Sequence, residues 1–221
     1  MSGHSQLTVC LLNYKRPENL PIIVAKLREQ TIEPKLFLWN NGCDRVDVQV
    51  DWVVHSSCNR QCWPRWFLAA HAETEFVAVL DDDLCPVDQT LFREFVDHLK
   101  NHGDSRVIIG PYGVVLDSRY SYRACSRTRV SGDEVIAADI IKGRLMVMRT
   151  AEVRRLLPLI GATSLHDDIV VSGIFAEGRK RPHLWARGTK SKLREMPEPD
   201  AVWKRSSHYR EREEARRIYF P

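Results

Sequence analysis

Three consecutive aspartates, Asp81, Asp82 and Asp83, directly follow the apolar run Phe76-Val77-Ala78-Val79-Leu80. A run this short and this rich in Val and Phe reads as a buried parallel strand rather than a helix. The carboxylates then fall at its C-terminal end, where open α/β sheets bind their ligands. Adjacent carboxylates repel one another, so the cluster is costly unless solvent, basic side chains or a cation compensate it. Oxygen-only ligation suits Mg²⁺ or Mn²⁺, and such ions usually complete their shell with phosphates. A solvated acidic turn is the competing reading, because a bare acidic cluster is a weak motif.

The elements that must position these aspartates can be read from periodicity. Residues 7–12, 35–39, 51–55 and 76–80 read as strands, with a further strand at 106–109. Between them, 18–30 places Leu20, Ile23, Val24 and Leu27 at helical spacing, Pro64 can open a helix running to residue 72, and 87–100 is amphipathic. This alternation predicts a doubly wound, Rossmann-like α/β sheet, mostly parallel and flanked by helices. No GxGxxG follows the first strand, which disfavours dinucleotide oxidoreductase chemistry. In the second half, the stretch with Arg119, Arg123, Arg127 and Arg129 reads as a loop or edge hairpin. Residues 142–149 read as a strand, 150–157 as a short helix closed by Pro158, and 166–176 as a helix opening on two aspartates. Beyond Arg179 the chain reads as a polar, basic tail. No linker or repeat divides the 221 residues, so a single domain is expected.

Polar residues recur at the same edge of this predicted sheet. Asn13, Tyr14 and Arg16 follow the first strand: an amide to read a base, a ring to stack on it and a cation for phosphate. Asn40 and Asn41 follow the second strand, Asn59, Arg60 and Arg65 the third, and Asp81, Asp82 and Asp83 the fourth. Local turn chemistry accounts for any one group, but not for their recurrence. The net charge of +4 and pI near 8.8 favour an anionic ligand without implying nucleic acid. Hydrophobic residues at 43% and charged residues at 28% are ordinary for a soluble globular protein. No apolar stretch has the length of a membrane span and the N-terminus has no signal-peptide pattern, so a cytoplasmic protein, or a soluble catalytic domain of a longer one, is expected. The six cysteines, Cys10, Cys43, Cys58, Cys62, Cys85 and Cys125, show neither a secreted disulfide framework nor paired zinc spacing, and all are expected reduced.

The succession Asn13-Tyr14-x-Arg16, Trp39-Asn40-Asn41-Gly42, Asn59-Arg60, Asp81-Asp82-Asp83 and Asp167-Asp168-Ile169 resembles that of metal-dependent GT-A glycosyltransferases, and within them the exostosin-like branch. The resemblance runs from about residue 7 to about residue 176; the chain is shorter than the animal enzymes and lacks their membrane anchor, so a bacterial or viral relative is expected. It implies a GT-A domain with a nucleotide-sugar-binding half over about 7–110 and an acceptor-binding half over about 111–221. It implies transfer of a sugar from a UDP-sugar to a hydroxyl of a glycan, with retention, using Mn²⁺ or Mg²⁺. Tyr14 and Arg16 would line the uridine and phosphate pocket, with Asn40 or Asn41 and Asn59 near base and ribose. Asp81, next to Asp82, would approach the ribose hydroxyls, Asp83 would ligate the metal, and Arg60 or Arg65 would pair with phosphate. Asp167 and Asp168 would sit beside the reacting sugar carbon, although acids there also suit a helix N-terminus. His208 would be a further metal ligand or an exposed histidine without a role, and the basic tail either closes on phosphate or is solvated.

Two other classes compete. A sugar-nucleotide-forming nucleotidyltransferase would use carboxylates and metal on a similar sheet, but it needs a Gly-rich basic loop near the first strand, which is missing. A nucleic-acid-binding module could use the Arg-rich second half, but its arginines lack aromatic interleaving and the acidic triplet opposes it.

Overall fold

The computed structural model describes residues 5–42, 45–127, 132–156, 158, 166–198 and 204–221. Cys43 and Arg129, both considered above, lie outside the described residues, as does residue 157. The central sheet has eight strands. In chain order they are β1 (Leu7–Asn13), β2 (Lys35–Asn41), β3 (Trp52–Ser56), β4 (Phe76–Asp81), β6 (Ile109–Gly110), β8 (Val135–Ala138), β10 (Leu145–Arg149) and β11 (His183–Ala186). Their spatial order is β3-β2-β1-β4-β10-β6-β11-β8. The first four are mutually parallel, β10 runs antiparallel between β4 and β6, β11 is parallel to β6, and β8 closes the edge antiparallel. Two small ladders join β5 (Leu84–Pro86) to β12 (Leu193–Glu195), and β7 (Gly113–Val114) to β9 (Ile140–Ile141).

Side chains alternate across the pleat, so each central strand feeds two cores. Leu7, Val9 and Leu11 join Phe76, Ala78 and Leu80 on one face, under α1 (Leu20–Arg28) and α3 (Leu91–Asn101). Cys10, Val77 and Val79 face the other way, against Trp66 and Leu68 of α2 (Pro64–His71), Val153 of α5 (Thr150–Leu156) and Phe175 of α6 (Asp167–Ala176). Strands buried on both faces need uninterrupted apolar sequence, which residues 76–80 supply.

Several boundaries differ from the sequence reading, each for a physical reason. β1 and β2 extend into their asparagines because parallel pairing continues through Asn13 opposite Asn40 and Asn41 opposite Ser56. α3 begins four residues late because the chain before it is held in β5, and Asp88 Oδ1 accepts from Thr90 N at 2.8 Å to form the turn. The strand expected at 106–109 is only Ile109–Gly110, and the one expected at 142–149 starts at Leu145, after β9 and a turn. The arginine-rich segment contains a short helix, α4 (Tyr122–Arg127), rather than a hairpin. The largest correction concerns the basic tail. It supplies β11, β12 and the twelve-residue helix α7 (His208–Tyr219), which packs on α6 and α4.

Candidate active site

The parallel strands end in a ladder of amides. Asn13 Nδ2 donates to Asn40 Oδ1 at 2.7 Å, and Asn40 Nδ2 lies 3.2 Å from His55 Nδ1. Asn41 Nδ2 reaches Asn59 Oδ1 at 2.9 Å and Gln61 O at 2.8 Å, while Arg60 N donates to Asn41 Oδ1 at 2.6 Å. The three strand asparagines are buried, so they brace the loop that presents the exposed Asn59 and Arg60. Asn13 Oδ1 is buried without a hydrogen-bond partner among the described residues, a costly state for an amide oxygen.

Asp82 turns away from solvent and organises the β1 loop. Its carboxylate accepts from Tyr14 N at 2.6 Å and from Arg16 Nη1, and its carbonyl accepts from Asn19 Nδ2 at 2.8 Å. Burial pushes its carboxyl up to about 6 against the pull of Arg16 and Tyr14 N. Asp81, with a side chain 30% exposed, is the most open of the three. Partial desolvation beside Arg65, with the repulsion of Asp83, Asp82 and Asp167, still raises its carboxyl pKa, while the Arg65 charge opposes the shift.

Arg65 is buried, and carboxylates and a carbonyl take up its guanidinium. Nη1 donates to Asp81 Oδ1 and to Gly143 O at 2.8 Å; Nε and Nη2 donate to Asp167 Oδ2 at 2.8 and 2.7 Å. Trp66 Nε1 adds a third bond to that oxygen at 2.6 Å. One guanidinium therefore bridges the end of β4 and the start of α6. A Cβ at position 143 would lie 2.7 Å from Arg65 Nη2, so glycine is what allows this approach.

Asp83 is held by Arg144, which sequence reading had not singled out. Its Nη2 donates to Asp83 Oδ1 at 3.0 Å and the same guanidinium binds Glu195; Asp83 Oδ2 lies 3.8 Å from Arg16.

Asp168 accepts from Arg212 Nη2 at 2.6 Å and from Gly143 N at 3.2 Å, and Arg212 also donates to Tyr122 OH at 2.7 Å. Burial opposes ionisation, yet Arg212 and these bonds hold the Asp168 carboxyl down at about 2. Asp168 is thus a fixed negative charge at neutral pH. Arg212 stood in the sequence only as one of several tail arginines. The stripe His208, Arg212, Ala215 and Tyr219, at helical spacing, was the signal for its inward position. His208 lies beside His166, ring centroids 5.6 Å apart, and burial together with Arg212 pushes it down to about 4.

The donor set around Asp81 and Asp83 suits a divalent cation. Two neighbouring ion-pair groups, Asp82, Asp83 and Glu195 with Arg16 and Arg144, and Asp81 and Asp167 with Arg65, each hold one carboxylate more than guanidiniums, an excess that repulsion disfavours until a cation compensates it. Among the described residues no three His, Cys, Asp or Glu converge to hold an ion by themselves. A cation here would therefore take one or two of these carboxylates and complete its shell with ligand oxygens, as Mg²⁺ commonly does. Among the described residues neither Cys58 nor Cys62 forms a disulfide.

The architecture is that of the GT-A fold. The mannosyltransferase PcManGT from Pyrobaculum calidifontis, solved in complex with GDP-Man and Mn²⁺, superposes with a TM-score of 0.54 at 16% identity, covering 94% of this chain and 60% of that one. The 1–349 portion of TarS from S. aureus gives 0.53 at 13% identity, covering 77% of this chain and 55% of that one. This chain therefore spans little more than half the length of either neighbour. No protein-family model matches the chain, and no curated protein matches it. Among the described residues no helix is long and apolar enough to cross a membrane.

Proposed function

We propose that the chain transfers a sugar from a nucleotide-sugar donor, a UDP-sugar in the first instance, to a hydroxyl of a glycan acceptor with the help of Mn²⁺ or Mg²⁺. The observation that carries this reading is the Arg65 bridge. It joins the acidic strand end at Asp81 to the acidic helix start at Asp167, so a donor site and a reaction site adjoin across one side chain. The GT-A architecture supports it, as does a neighbour solved with a nucleotide sugar and Mn²⁺.

In this reading Tyr14 and Arg16 line the base and phosphate pocket, with the amide-braced Asn59 and Arg60 on its far side. Asp81 would approach the ribose hydroxyls, and Asp83 would hold the cation, which supplies charge neutralisation for the departing diphosphate when bound. Asp82 positions Tyr14 and Arg16 from behind. Arg65 acts as a positioning residue for Asp81 and Asp167. Asp168, kept ionised by Arg212, stabilises positive charge that develops at the sugar carbon. Retention of anomeric configuration is the stereochemical part of the proposal and is read from the product's anomeric proton by NMR.

Thermal stabilisation by UDP, GDP, ADP and CDP, each with and without Mn²⁺, tests the donor class, because a ligand that binds only the folded state raises apparent stability. A metal-dependent shift selective for UDP is expected. A shift selective for GDP would reassign the donor, and no shift with any nucleotide would refute the transferase reading. A nucleotidyltransferase would instead bind the nucleoside triphosphate more strongly than the diphosphate.

A further inference from the structure

Four cations beside the candidate reaction site, Lys142, Lys190, Arg123 and Arg127, form no direct ion pair among the described residues; Asp168 and Glu195 act on Lys142 and Lys190 only through space, and both carboxylates are already held by Arg212 and Arg144. Three elements bring them together. Lys142 Nζ donates to Ser126 O at 3.3 Å, which ties it to the last turn of α4. From that helix Arg123 and Arg127 both lie over the Tyr209 ring of α7, at 5.0 and 5.3 Å from its centroid. On the other side, Lys142 N donates to Tyr112 O at 2.8 Å, and the Tyr112 ring carries Lys190 at 5.8 Å together with Arg144 at 5.5 Å. The next residue, Gly143, donates its N–H to Asp168. The cluster therefore borders the carboxylate assigned to the chemical step.

Holding these cations together has an electrostatic cost. Burial, then the repulsion of Arg212, Arg144 and Lys190, lowers the Lys142 pKa, with Asp168 only partly offsetting them. Burial and Arg212 likewise keep His166 and His208 towards their neutral forms. A cation resting on an aromatic face still has its N–H donors free for an anion. Fold stability gives no reason to gather cations that lack ion pairs at one rim, whereas a doubly charged oxyanion would offset the repulsion directly.

Building on the transferase reading, we infer that the acceptor carries a phosphate group, and that Lys142, with Lys190 and Arg127, receives it beside Asp168. The donor's own diphosphate is the other source of this chemistry. It is assigned to the adjoining acidic side, where surplus carboxylate around Asp81 and Asp83 calls for a cation first, and Arg144, which reaches Asp83 while lying over the Tyr112 ring, stands between the two. The site thus separates two phosphates by sign of field: the donor's through a metal at the acidic side, the acceptor's directly at the basic side.

The test is calorimetric titration of the full chain, at constant ionic strength, with inorganic phosphate, glycerol 1-phosphate and glycerol, and separately with UDP plus Mn²⁺. Phosphate and glycerol 1-phosphate should bind and glycerol should not. Lys142→Gln should weaken both phosphates about tenfold or more, the loss expected for a charge-assisted bond, while leaving UDP affinity within about twofold. Lys190 is exposed, so Lys190→Gln spares the fold and should weaken phosphate in the same direction. No phosphate binding by the unaltered chain, or binding that both variants leave unchanged, would overturn the proposal. So would competition between phosphate and UDP with equal losses in Lys142→Gln, which would give the cluster to the donor. Tighter binding of a single-stranded oligonucleotide than of glycerol 1-phosphate at the same salt would assign the patch to nucleic acid and also overturn it. Failure of every nucleotide to bind refutes the transferase reading, while the phosphate titrations still decide the anion site.

Discussion

Replacing Arg65 with methionine should destabilise the protein far more than any exposed arginine does. Arg65 is 3% exposed, and its guanidinium carries Asp81, Asp167 and Gly143 O at once. Removing one partner of a buried ion pair costs about 3–5 kcal/mol, because the other charge stays behind unpaired. Asp167 bears most of that cost here: its side chain is 5% exposed, and without Arg65 the Trp66 N–H and the Cys62 thiol leave it with neutral donors and no counter-charge. Asp81, at 30% exposed, can be hydrated and adds little. For a chain of this length about 1 kcal/mol corresponds to roughly 2–4 °C, so the melting temperature should fall by about 6–20 °C. Differential scanning calorimetry of Arg65→Met, Asp167→Leu and the double variant measures the coupling directly. The double variant should recover at least about 2 kcal/mol relative to additivity, because it removes the stranded charge together with its partner. A melting temperature within about 2 °C of the parent, or strictly additive losses, would show that the bridge contributes nothing and that Asp81 and Asp167 are held apart by other means.

Asp83→Asn should abolish Mn²⁺-dependent UDP binding and leave the melting temperature of the ligand-free protein nearly unchanged; unaltered Mn²⁺ dependence in calorimetry would remove Asp83 from the cation site. Tyr14→Ala should weaken UDP by about 1–3 kcal/mol if its ring stacks on the base, and unfolding at equal UDP affinity would make it a core residue instead. Asp168→Asn should retain UDP and Mn²⁺ affinity but lose most turnover, since a group that acts only in the transition state does not contribute to ground-state binding. Two fully active variants, Asp168→Asn and Asp167→Asn, would mean that the pair only opens a helix. His183 is buried, donates Nε2–H to Ser172 O at 3.0 Å and accepts from Ile108 N at 3.3 Å; burial pushes it down to about 4 from 6.5. As pH falls the unfolded chain takes up that proton first, so the stability from His183 is full above 6.5 and lost on the way down to about 4. His183→Gln should flatten this part of the stability profile, and a parallel profile would exclude His183 as its source.

What the sequence determined by itself was whatever depends on neighbours along the chain. The apolar run from Phe76 could only be a buried strand, so the aspartates behind it had to emerge at its C-terminal end. The spacing in 18–30 and 87–100 placed one helix before that run in the chain and one after it, and with the alternation it implied a parallel α/β sheet. Only the tertiary structure decided which of the charges are available. Asp167 meets Arg65 across 102 residues, Asp168 meets Arg212 across 44, and Asp83 meets Arg144 across 61. Such pairings are not settled by local periodicity: even the helical spacing of His208, Arg212, Ala215 and Tyr219 is ambiguous, because a guanidinium is equally compatible with a solvated helix face and with a buried carboxylate. The basic tail was misread for that reason. Its polar composition suits a surface segment, and only packing of α7 on α6 and α4 shows that Arg212 points inward. Local chemistry thus proposed the acids, and long-range packing assigned each its counter-charge.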